Sequence, residues 1–346
     1  MANIMITDVC NLKCPYCFAN EFVNKDANEI SLENFERALE FITKGKNNCR
    51  VGIIGGEPTL HSRFKELLRN AISNSAVDII VVYTNGVRIE PFLNELSHPK
   101  VRMLINCNSP KDIGTSMFQR IEENINLLVN ERMMQDRISI GINIYSTDLQ
   151  YDYLIDILKK YNFKNVRVSI TVPNIPKDRN TDAHRYFLSR KEYILKFFEA
   201  LLEEKIVPYF DCNKIPSCLV SKKDLSRFRK YLDDPMLRTC ILNSNISHNK
   251  VRCNPVIDIT QDLKAVRCFG LSEYTKQDIS NFDCIDDLRA FYIKNIDAYA
   301  YNTAYSHICT DCKLRESLKC NGGCLSFKIN DIMKMKSYSD KLLAQL

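Results

Sequence analysis

The chain has 346 residues, of which 45% are hydrophobic and 26% charged, and its formal net charge is +6. This is the composition of a globular protein with enough apolar residues for a core. The length allows one large domain with a small one, or two ordinary domains. The positive charge is mild and dispersed along the chain, which excludes the concentrated basic surface of a nucleic-acid-binding protein.

The sequence shows no targeting or membrane segment. No apolar run approaches the roughly 18 residues that a membrane-spanning helix requires. Residues 1–10 lack both the basic segment and the long apolar segment of a secretory signal. We therefore expect a cytoplasmic protein with no membrane partner. Because disulfides are rare in that reducing compartment, clustered thiols among the 15 cysteines are more readily explained as metal ligands or catalysts.

Strand-like and helix-like segments alternate over the first 170 residues. Six segments are short, rich in β-branched residues and nearly continuous in apolar residues, as buried parallel strands are; they cover 3–9, 50–54, 77–84, 100–106, 137–145 and 165–171. Amphipathic segments lie between them, such as 31–45, where Ser31 is the predicted N-cap and Gly45 the predicted stop. This alternation predicts an α/β fold, a partial (β/α)6 barrel of the TIM type.

The alternation of strand-like and helix-like segments ends after residue 172. A polar connector with prolines (171–185) leads to one more predicted helix (188–204), and beyond it the chain has weak periodicity and frequent cysteines. A region with many thiols and little pattern is typical of a fold organised by bound metal. We therefore predict two domains, a barrel over 1–204 and a small cysteine-rich iron–sulfur domain over 205–346.

Three cysteines are crowded into the sequence CNLKCPYC at residues 10–17, directly after the first predicted strand. Thiolates are soft ligands that suit zinc, Cu(I) and iron–sulfur clusters. A [4Fe–4S] cluster normally takes four cysteines, so Cys10, Cys14 and Cys17 would leave one iron open for a reactant. The loop after a strand is also where α/β barrels place their active sites. From spacing alone, a zinc knuckle or a set of buried thiols remains the alternative.

CNLKCPYC resembles the CxxxCxxC signature of the radical S-adenosylmethionine (SAM) enzymes, with Tyr16 as the aromatic residue before the third cysteine. GGEPT at 55–59 and TNG at 84–86 follow the second and third predicted strands and resemble further elements of that family. The resemblance covers about residues 3–171. The two glycines of GGEPT would let the backbone approach a ligand closely.

The resemblance implies a cofactor set and a chemistry. Cys10, Cys14 and Cys17 would hold a [4Fe–4S] cluster whose open iron is chelated by SAM. Reductive cleavage of SAM would then give a 5′-deoxyadenosyl radical that abstracts a substrate hydrogen, with electrons from a flavodoxin- or ferredoxin-like donor under anaerobic conditions. The SAM amino group would be received by Gly55, Gly56 and Glu57, and the backbone around Tyr16 would touch the adenine.

Further SAM contacts are expected at the ends of the fourth to sixth strands. By position and polarity, the candidates are Asn106, Asn108, Asn143 and Arg167. Arg167 lies within the apolar strand VRVSI, where a charge needs a partner. An ordinary strand-end or turn role is the alternative for the three asparagines. No catalytic acid or base is assigned from the sequence.

The segment CTDCKLRESLKCNGGC at 309–324 resembles the SPASM extension of radical SAM enzymes, which carries auxiliary [4Fe–4S] clusters. The chain departs from that pattern: seven residues rather than five separate Cys312 from Cys320, no cysteine follows Cys324, and Leu263 stands where glycine is frequent. The implied ligands of a first auxiliary cluster are Cys240, Cys253, Cys268 and Cys324. Those of a second are Cys309, Cys312 and Cys320, with Cys212, Cys218 or an open iron completing it. A single auxiliary cluster (a twitch arrangement) and a zinc ribbon are the alternatives.

Three functions remain open from the sequence. The first is a radical SAM enzyme that modifies a peptide or protein side chain, as in ribosomal-peptide maturation, with auxiliary clusters assisting oxidation or substrate binding. The second is a radical SAM dehydrogenase of a small molecule such as an alcohol or sugar. The third is a metal-binding or redox-sensing protein without catalysis. Because the first predicted strand begins at residue 3, we expect no N-terminal domain that grips a leader peptide.

Overall fold

The computed structural model describes residues 1–17, 19, 23–171, 182–210, 215–238, 256–269, 275–298, 306–317, 320 and 324–328. Cys212, Cys240 and Cys253, three of the predicted cluster ligands, lie outside these residues. Within the described part of the chain, no helix has the length and apolar character needed to cross a membrane.

The chain folds as two compact units. The first consists of residues 1–142, 152–163 and 255–289, and the second of residues 143–151, 164–254 and 290–346. Each unit therefore contains residues from both predicted domains, 1–204 and 205–346. The predicted boundary at residue 204 stays a prediction of where the cysteine-rich region begins.

The first unit is built on a largely parallel sheet with strand order β10-β9-β8-β1-β2-β3-β4-β5. Its strands are β1 (Ala2–Met5), β2 (Cys49–Ile54), β3 (Val77–Thr84), β4 (Val101–Asn106), β5 (Ile138–Ile144), β8 (Ile257–Ile259), β9 (Lys264–Val266) and β10 (Gln277–Asp278). β1 to β5 run parallel, with Ala2 opposite Val51 at the start of the register. The α/β class predicted from alternating apolar segments is confirmed.

Helices lie between the parallel strands of the first unit, and the first of them falls on the predicted amphipathic segment 31–45. The helices of this unit are α1 (Leu32–Thr43), α2 (Phe64–Ser73), α3 (Leu93–Leu96), α4 (Pro110–Ile113), α5 (Thr115–Asn126), α6 (Asp152–Lys160) and, late in the chain, α9 (Ile285–Tyr292). The Ser31 side chain accepts the Asn34 N–H at 3.0 Å, which is the predicted N-cap. Gly45 adopts φ +71° just beyond α1, the left-handed conformation that favours glycine at a helix stop.

The second unit contains two parallel strands and a long helix. β6 (Asn165–Ile170) pairs with β7 (Val207–Phe210), and the helices are α7 (Ala183–Glu203), α8 (Lys222–Ser226) and α10 (Lys313–Glu316). α7 begins at Ala183, five residues before the predicted start at 188, because the carboxylate of the N-cap residue Asp182 accepts the Arg185 N–H. The α7 residue Phe198 packs on Phe210 of β7, with ring centroids 5.2 Å apart.

The weak periodicity after residue 205 predicts a loop-like region, but the described residues there include four strands as well as the helices α8, α9 and α10. β7 extends the second unit, and β8, β9 and β10 extend the sheet of the first unit, where β8 lies parallel to β1. Three of these strands have only two or three residues each, so they are too short to show an apolar period. Leu263, in the β8–β9 turn, adopts φ +59°, which agrees with the glycine frequent at that position in SPASM regions.

A buried carboxyl group joins β8 to β1 and makes the stability of the first unit depend on pH. Asn3 donates a side-chain hydrogen bond to Asp258 at 2.6 Å. Burial raises the pKa of Asp258 to about 7, although the Asn3 hydrogen bond and the Arg267 charge oppose that rise. A carboxyl whose pKa is higher in the folded chain binds more protons there than in the unfolded chain.

We expect the free energy of unfolding to fall as pH rises from about 4, the ordinary aspartate pKa, to about 7, the pKa of folded Asp258. Urea unfolding at a series of pH values measures this slope. Asp258→Asn removes the titrating group, so its curve should be flatter than that of the wild type over the same window. An equally steep slope in Asp258→Asn would assign the pH dependence to other groups.

Candidate active site

The three clustered cysteines lie in the loop that leaves β1. β1 ends at Met5, four residues before the predicted end of the strand at 9, although the Ile6 N–H still donates to the Ile54 carbonyl at 2.8 Å. Burial raises the pKa of Cys10 and Cys14 to about 11 and also raises the pKa of Cys17. A bound metal would oppose this rise, because a nearby positive charge favours the thiolate form.

Asn24 holds the first cysteine by its backbone. Its side-chain oxygen accepts the Cys10 N–H at 2.8 Å, and its side-chain nitrogen donates to the Cys10 carbonyl at 3.2 Å. Asn24 itself adopts φ +55° and donates its backbone N–H to the Asp8 carbonyl at 2.7 Å. Asn24 cannot be identified from the sequence, because a single asparagine fourteen positions from Cys10 carries no spacing signal.

The other two cysteines belong to one turn with an apolar side. The Cys17 N–H donates to the Cys14 carbonyl at 3.1 Å. Cys17 packs against a buried cluster that includes Met5, Ile54 and Phe269. Three thiols in a single short loop, one of them shielded by apolar side chains, fit a [4Fe–4S] cluster that has one iron without a protein ligand.

The GGEPT segment packs directly on the cluster loop. The Gly56 N–H donates to the Thr7 carbonyl and the Glu57 N–H to the Val9 carbonyl, both at 2.8 Å. A Cβ atom on Gly56 would lie 2.4 Å from the Val9 carbonyl oxygen, and one on Gly55 would lie 2.7 Å from that of Thr7. From the sequence, these glycines are expected to let the backbone approach a ligand. In the structure they also allow close contact with the loop that carries the thiols, where a Cβ atom would not fit.

The Glu57 carboxylate joins GGEPT to TNG. It is 1% exposed and accepts the backbone N–H groups of Thr59 and Asn85 and the hydroxyls of Thr59 and Thr84. Burial raises the pKa of Glu57, while these four hydrogen bonds lower it. The predicted acceptor of the SAM amino group is thus already engaged by four protein donors. The role of Glu57 toward SAM stays a prediction.

A further contact brings TNG to the cluster loop, because the Asn85 side chain donates to the side-chain oxygen of Asn11 at 2.8 Å. The segments after β1, β2 and β3 therefore meet at one edge of the sheet of the first unit. This is the arrangement expected from three signatures that each follow a parallel strand.

The predicted SAM contacts from later strands fall in two groups. Asn106, at the end of β4, and Asn108, just after it, belong to the first unit, and the buried Asn108 contacts both Tyr16 and Cys14. Asn143 and Arg167 belong to the second unit, where Arg167 donates to the Asn143 side-chain oxygen at 2.9 Å. The Asn143 amide oxygen is therefore one partner of the Arg167 guanidinium group. The contacts of these four residues with SAM stay predictions.

Four thiols of the cysteine-rich region lie near one another in the second unit. The pKa of the Cys218 thiol is raised to about 11 by the surrounding protein atoms and by the charges of Cys320, Cys309 and Cys312. The Cys218 side chain itself is exposed. Among the described residues, no group of three or more His, Cys, Asp or Glu side chains is arranged to hold a single metal ion. The four ligands of a cubane, by contrast, bind four separate irons.

Only two of the other predicted auxiliary ligands, Cys268 and Cys324, lie among the described residues. Cys268 follows β9 in the first unit, Cys324 belongs to the second unit, and Cys240 and Cys253 lie outside the description. The ligand set of the first auxiliary cluster therefore stays a prediction.

Comparison with known proteins agrees with these signatures. Residues 4–172 match the model of the Radical SAM superfamily. A GTP 3',8-cyclase of Vibrio atlanticus (strain LGP32) is 32% identical over 221 residues, which cover 61% of this chain and 57% of the cyclase. The chain thus spans little more than half the length of that curated relative.

Solved structures resemble the chain over nearly its whole length. Streptococcus suis SuiB bound to precursor peptide SuiA has a TM-score of 0.63 at 17% identity, covering 95% of this chain and 72% of SuiB. Native anSMEcpe with bound AdoMet and Cp18Cys peptide has a TM-score of 0.61 at 16% identity, covering 99% of this chain and 98% of anSMEcpe. At such identities the likeness establishes the fold. The match to the family model therefore identifies residues 4–172, just under half of the chain, as a radical SAM domain.

Proposed function

We propose that this protein is a radical SAM enzyme that abstracts a hydrogen atom from a peptide or protein side chain. The observation that carries the SAM chemistry is the meeting of the thiol loop, GGEPT and TNG at one edge of the sheet. When bound, the cluster and SAM supply reductive cleavage, in which one electron converts SAM to methionine and a 5′-deoxyadenosyl radical. We include a flavodoxin- or ferredoxin-like electron donor and a cytoplasmic location in this proposal.

The chain's own residues hold the site in shape and keep water away. Cys10, Cys14 and Cys17 would bind three irons of the cluster. Asn24 fixes the backbone of Cys10, and the Glu57 carboxylate fixes the two neighbouring loops. The apolar cluster behind Cys17 excludes solvent from one side of the loop, which protects reactive species from side reactions.

Support for a peptide substrate comes from the extent of the fold likeness. The two structures that resemble 95% and 99% of this chain were solved with a precursor peptide and with the Cp18Cys peptide. Both alignments extend beyond the radical SAM domain into the region of the clustered cysteines. In this proposal the cysteine-rich region holds auxiliary clusters that assist substrate binding or remove an electron after hydrogen abstraction.

A nucleotide is the second candidate substrate. The curated relative with 32% identity is a GTP 3',8-cyclase, whereas the peptide-bound structures are 17% and 16% identical to this chain. Sequence similarity over 61% of the chain thus favours a purine nucleotide, and fold likeness over nearly the whole chain favours a peptide. Which substrate is correct depends on which region of the enzyme binds it.

The experiment is anaerobic incubation of reconstituted protein with SAM and a strong reductant, with 5′-deoxyadenosine as the product measured. A colourless protein without iron, or no 5′-deoxyadenosine, would exclude the radical SAM function. Peptides encoded beside the gene and GTP are then added separately. Stimulation by a peptide, with deuterium transferred from a labelled side chain into 5′-deoxyadenosine, supports the peptide proposal. Stimulation and deuterium transfer from GTP alone would replace it with the nucleotide candidate.

We further propose that Cys218, Cys309, Cys312 and Cys320 hold an auxiliary [4Fe–4S] cluster. Cys218→Ala should lower the iron content by up to about four atoms per chain, the number in one cubane, as measured by iron and sulfide analysis after reconstitution. Cys284→Ala is the matched control, because Cys284 belongs to no motif and its thiol faces Asp287 at 3.6 Å. Unchanged iron in Cys218→Ala would leave Cys212 or an open iron as the fourth position.

A further inference from the structure

We propose that Asn108 tunes the reduction potential of the SAM-binding cluster by donating a side-chain hydrogen bond to the Cys14 sulfur. This inference rests on the proposed function, since it requires a cluster at Cys14. It differs from the role expected from the sequence, in which Asn108 contacts SAM.

The geometry fixes which way the Asn108 amide points. Asn108 is 5% exposed, and its side-chain nitrogen lies 3.7 Å from Cys14 Sγ. Its side-chain oxygen accepts the Tyr16 hydroxyl. A cluster-bound thiolate can only accept a hydrogen bond, and an amide nitrogen can only donate one. Nitrogen toward sulfur and oxygen toward the hydroxyl is therefore the orientation that satisfies all three groups.

Tyr16 contributes to the same arrangement. Its hydroxyl donates to the Asn108 side-chain oxygen and so holds the amide nitrogen on the side of Cys14. The amide donor from just after β4 is thus held against the middle cysteine of the motif by a tyrosine of the cluster loop. Groups that hold a metal ligand in place in this way are known to adjust the properties of the metal.

The effect on the potential follows from where the added electron resides. Reduction increases the negative charge on the cluster and its thiolate sulfurs, so an N–H···S hydrogen bond stabilises the reduced form more than the oxidised form. Burial strengthens that preference, because the local dielectric constant is low. Cys10 receives a comparable bond from the Leu12 backbone N–H at 3.4 Å, which side-chain substitutions leave in place as an internal reference.

The test compares Asn108→Leu with the wild type after anaerobic reconstitution and without SAM. Samples are poised at a series of potentials, and the reduced cluster is quantified by electron paramagnetic resonance. We expect the ratio of reduced to oxidised cluster at a fixed potential to fall about tenfold, which for a one-electron couple corresponds to about 59 mV. Asn130→Leu is the control, because Asn130 is an exposed amide bonded to Asn126, and its potential should match the wild type.

An unchanged potential in Asn108→Leu would overturn the inference, whatever the SAM affinity. If SAM affinity is weakened at that unchanged potential, the result supports the role predicted from the sequence, in which Asn108 contacts SAM. If Asn108→Leu fails to retain iron, Tyr16→Phe decides the question, because it removes the hydroxyl that orients the amide and should also lower the potential. Iron-free wild-type protein would instead contradict the proposed function, so the two failures are distinguishable.

Discussion

Replacing Cys14 with alanine is expected to reduce 5′-deoxyadenosine formation to the level of iron-free protein. The cluster loop holds three thiols, so each one binds a different iron and none can be replaced from within the loop. Loss of a group that only positions a metal ligand typically costs about 10–100-fold in activity. Loss of a ligand itself should cost more. The measurement is 5′-deoxyadenosine per chain after anaerobic reconstitution with SAM and reductant.

Cys107→Ala is a matched control for this prediction. Cys107 is 2% exposed and lies near the same edge of the sheet, but it belongs to no motif. Burial raises the pKa of Cys107 to about 12, as expected for a thiol that packs as a small apolar side chain. Its substitution should keep both iron and product. Full product formation by Cys14→Ala, with Cys107→Ala unchanged, would show that Cys14 is not a ligand of the catalytic cluster.

The predictable part of this molecule depends on local signals. The apolar periods of β1 to β6, the Ser31 cap and the Gly45 stop are each contained in a few consecutive residues. The cluster loop is equally local, because spacing within eight residues is enough to identify its three thiols. Placing GGEPT and TNG beside that loop needed one further rule, that parallel strands end at the same edge of their sheet.

The contacts that complete the site join residues far apart in the chain. Asn108 reaches Cys14 across 94 positions, and Glu57 reaches Asn85 across 28. Such a pairing depends on the register of neighbouring strands and on the direction of one side chain, and neither can be read from a single sequence. The proximity of Cys218 to Cys309, Cys312 and Cys320 likewise depends on contacts between distant parts of the chain. From spacing alone, Cys218 and Cys212 are equally good candidates for the fourth ligand.

Glu57→Ala is expected to lower the free energy of unfolding by about 3 kcal/mol or more, because each buried donor left unsatisfied costs about 1–3 kcal/mol. Three of the four donors lie 2.7 Å from the carboxylate, namely the hydroxyls of Thr59 and Thr84 and the backbone N–H of Asn85. Without the carboxylate these groups stay buried and unpaired. Urea unfolding of reconstituted protein measures the change.

Glu57→Gln separates the charge of this side chain from its hydrogen-bonding pattern. All four groups that face Glu57 are donors, so an amide nitrogen would be directed at an N–H or hydroxyl, and at least one bond is lost. We therefore expect Glu57→Gln to lie between the wild type and Glu57→Ala in stability. Glu66→Ala is the control, since Glu66 pairs with Arg63 on the surface and should change stability by about 0.5 kcal/mol or less.

The same variants decide which role Glu57 has toward the cofactor. If Glu57 only joins GGEPT to TNG, its variants should lose stability and 5′-deoxyadenosine formation together, with a smaller loss in Glu57→Gln than in Glu57→Ala. A side chain that receives the SAM amino group should lose activity and SAM affinity while the urea midpoint stays at the wild-type value. That second outcome would contradict the structural role, because four buried donors cannot lose their common acceptor without a cost in folding.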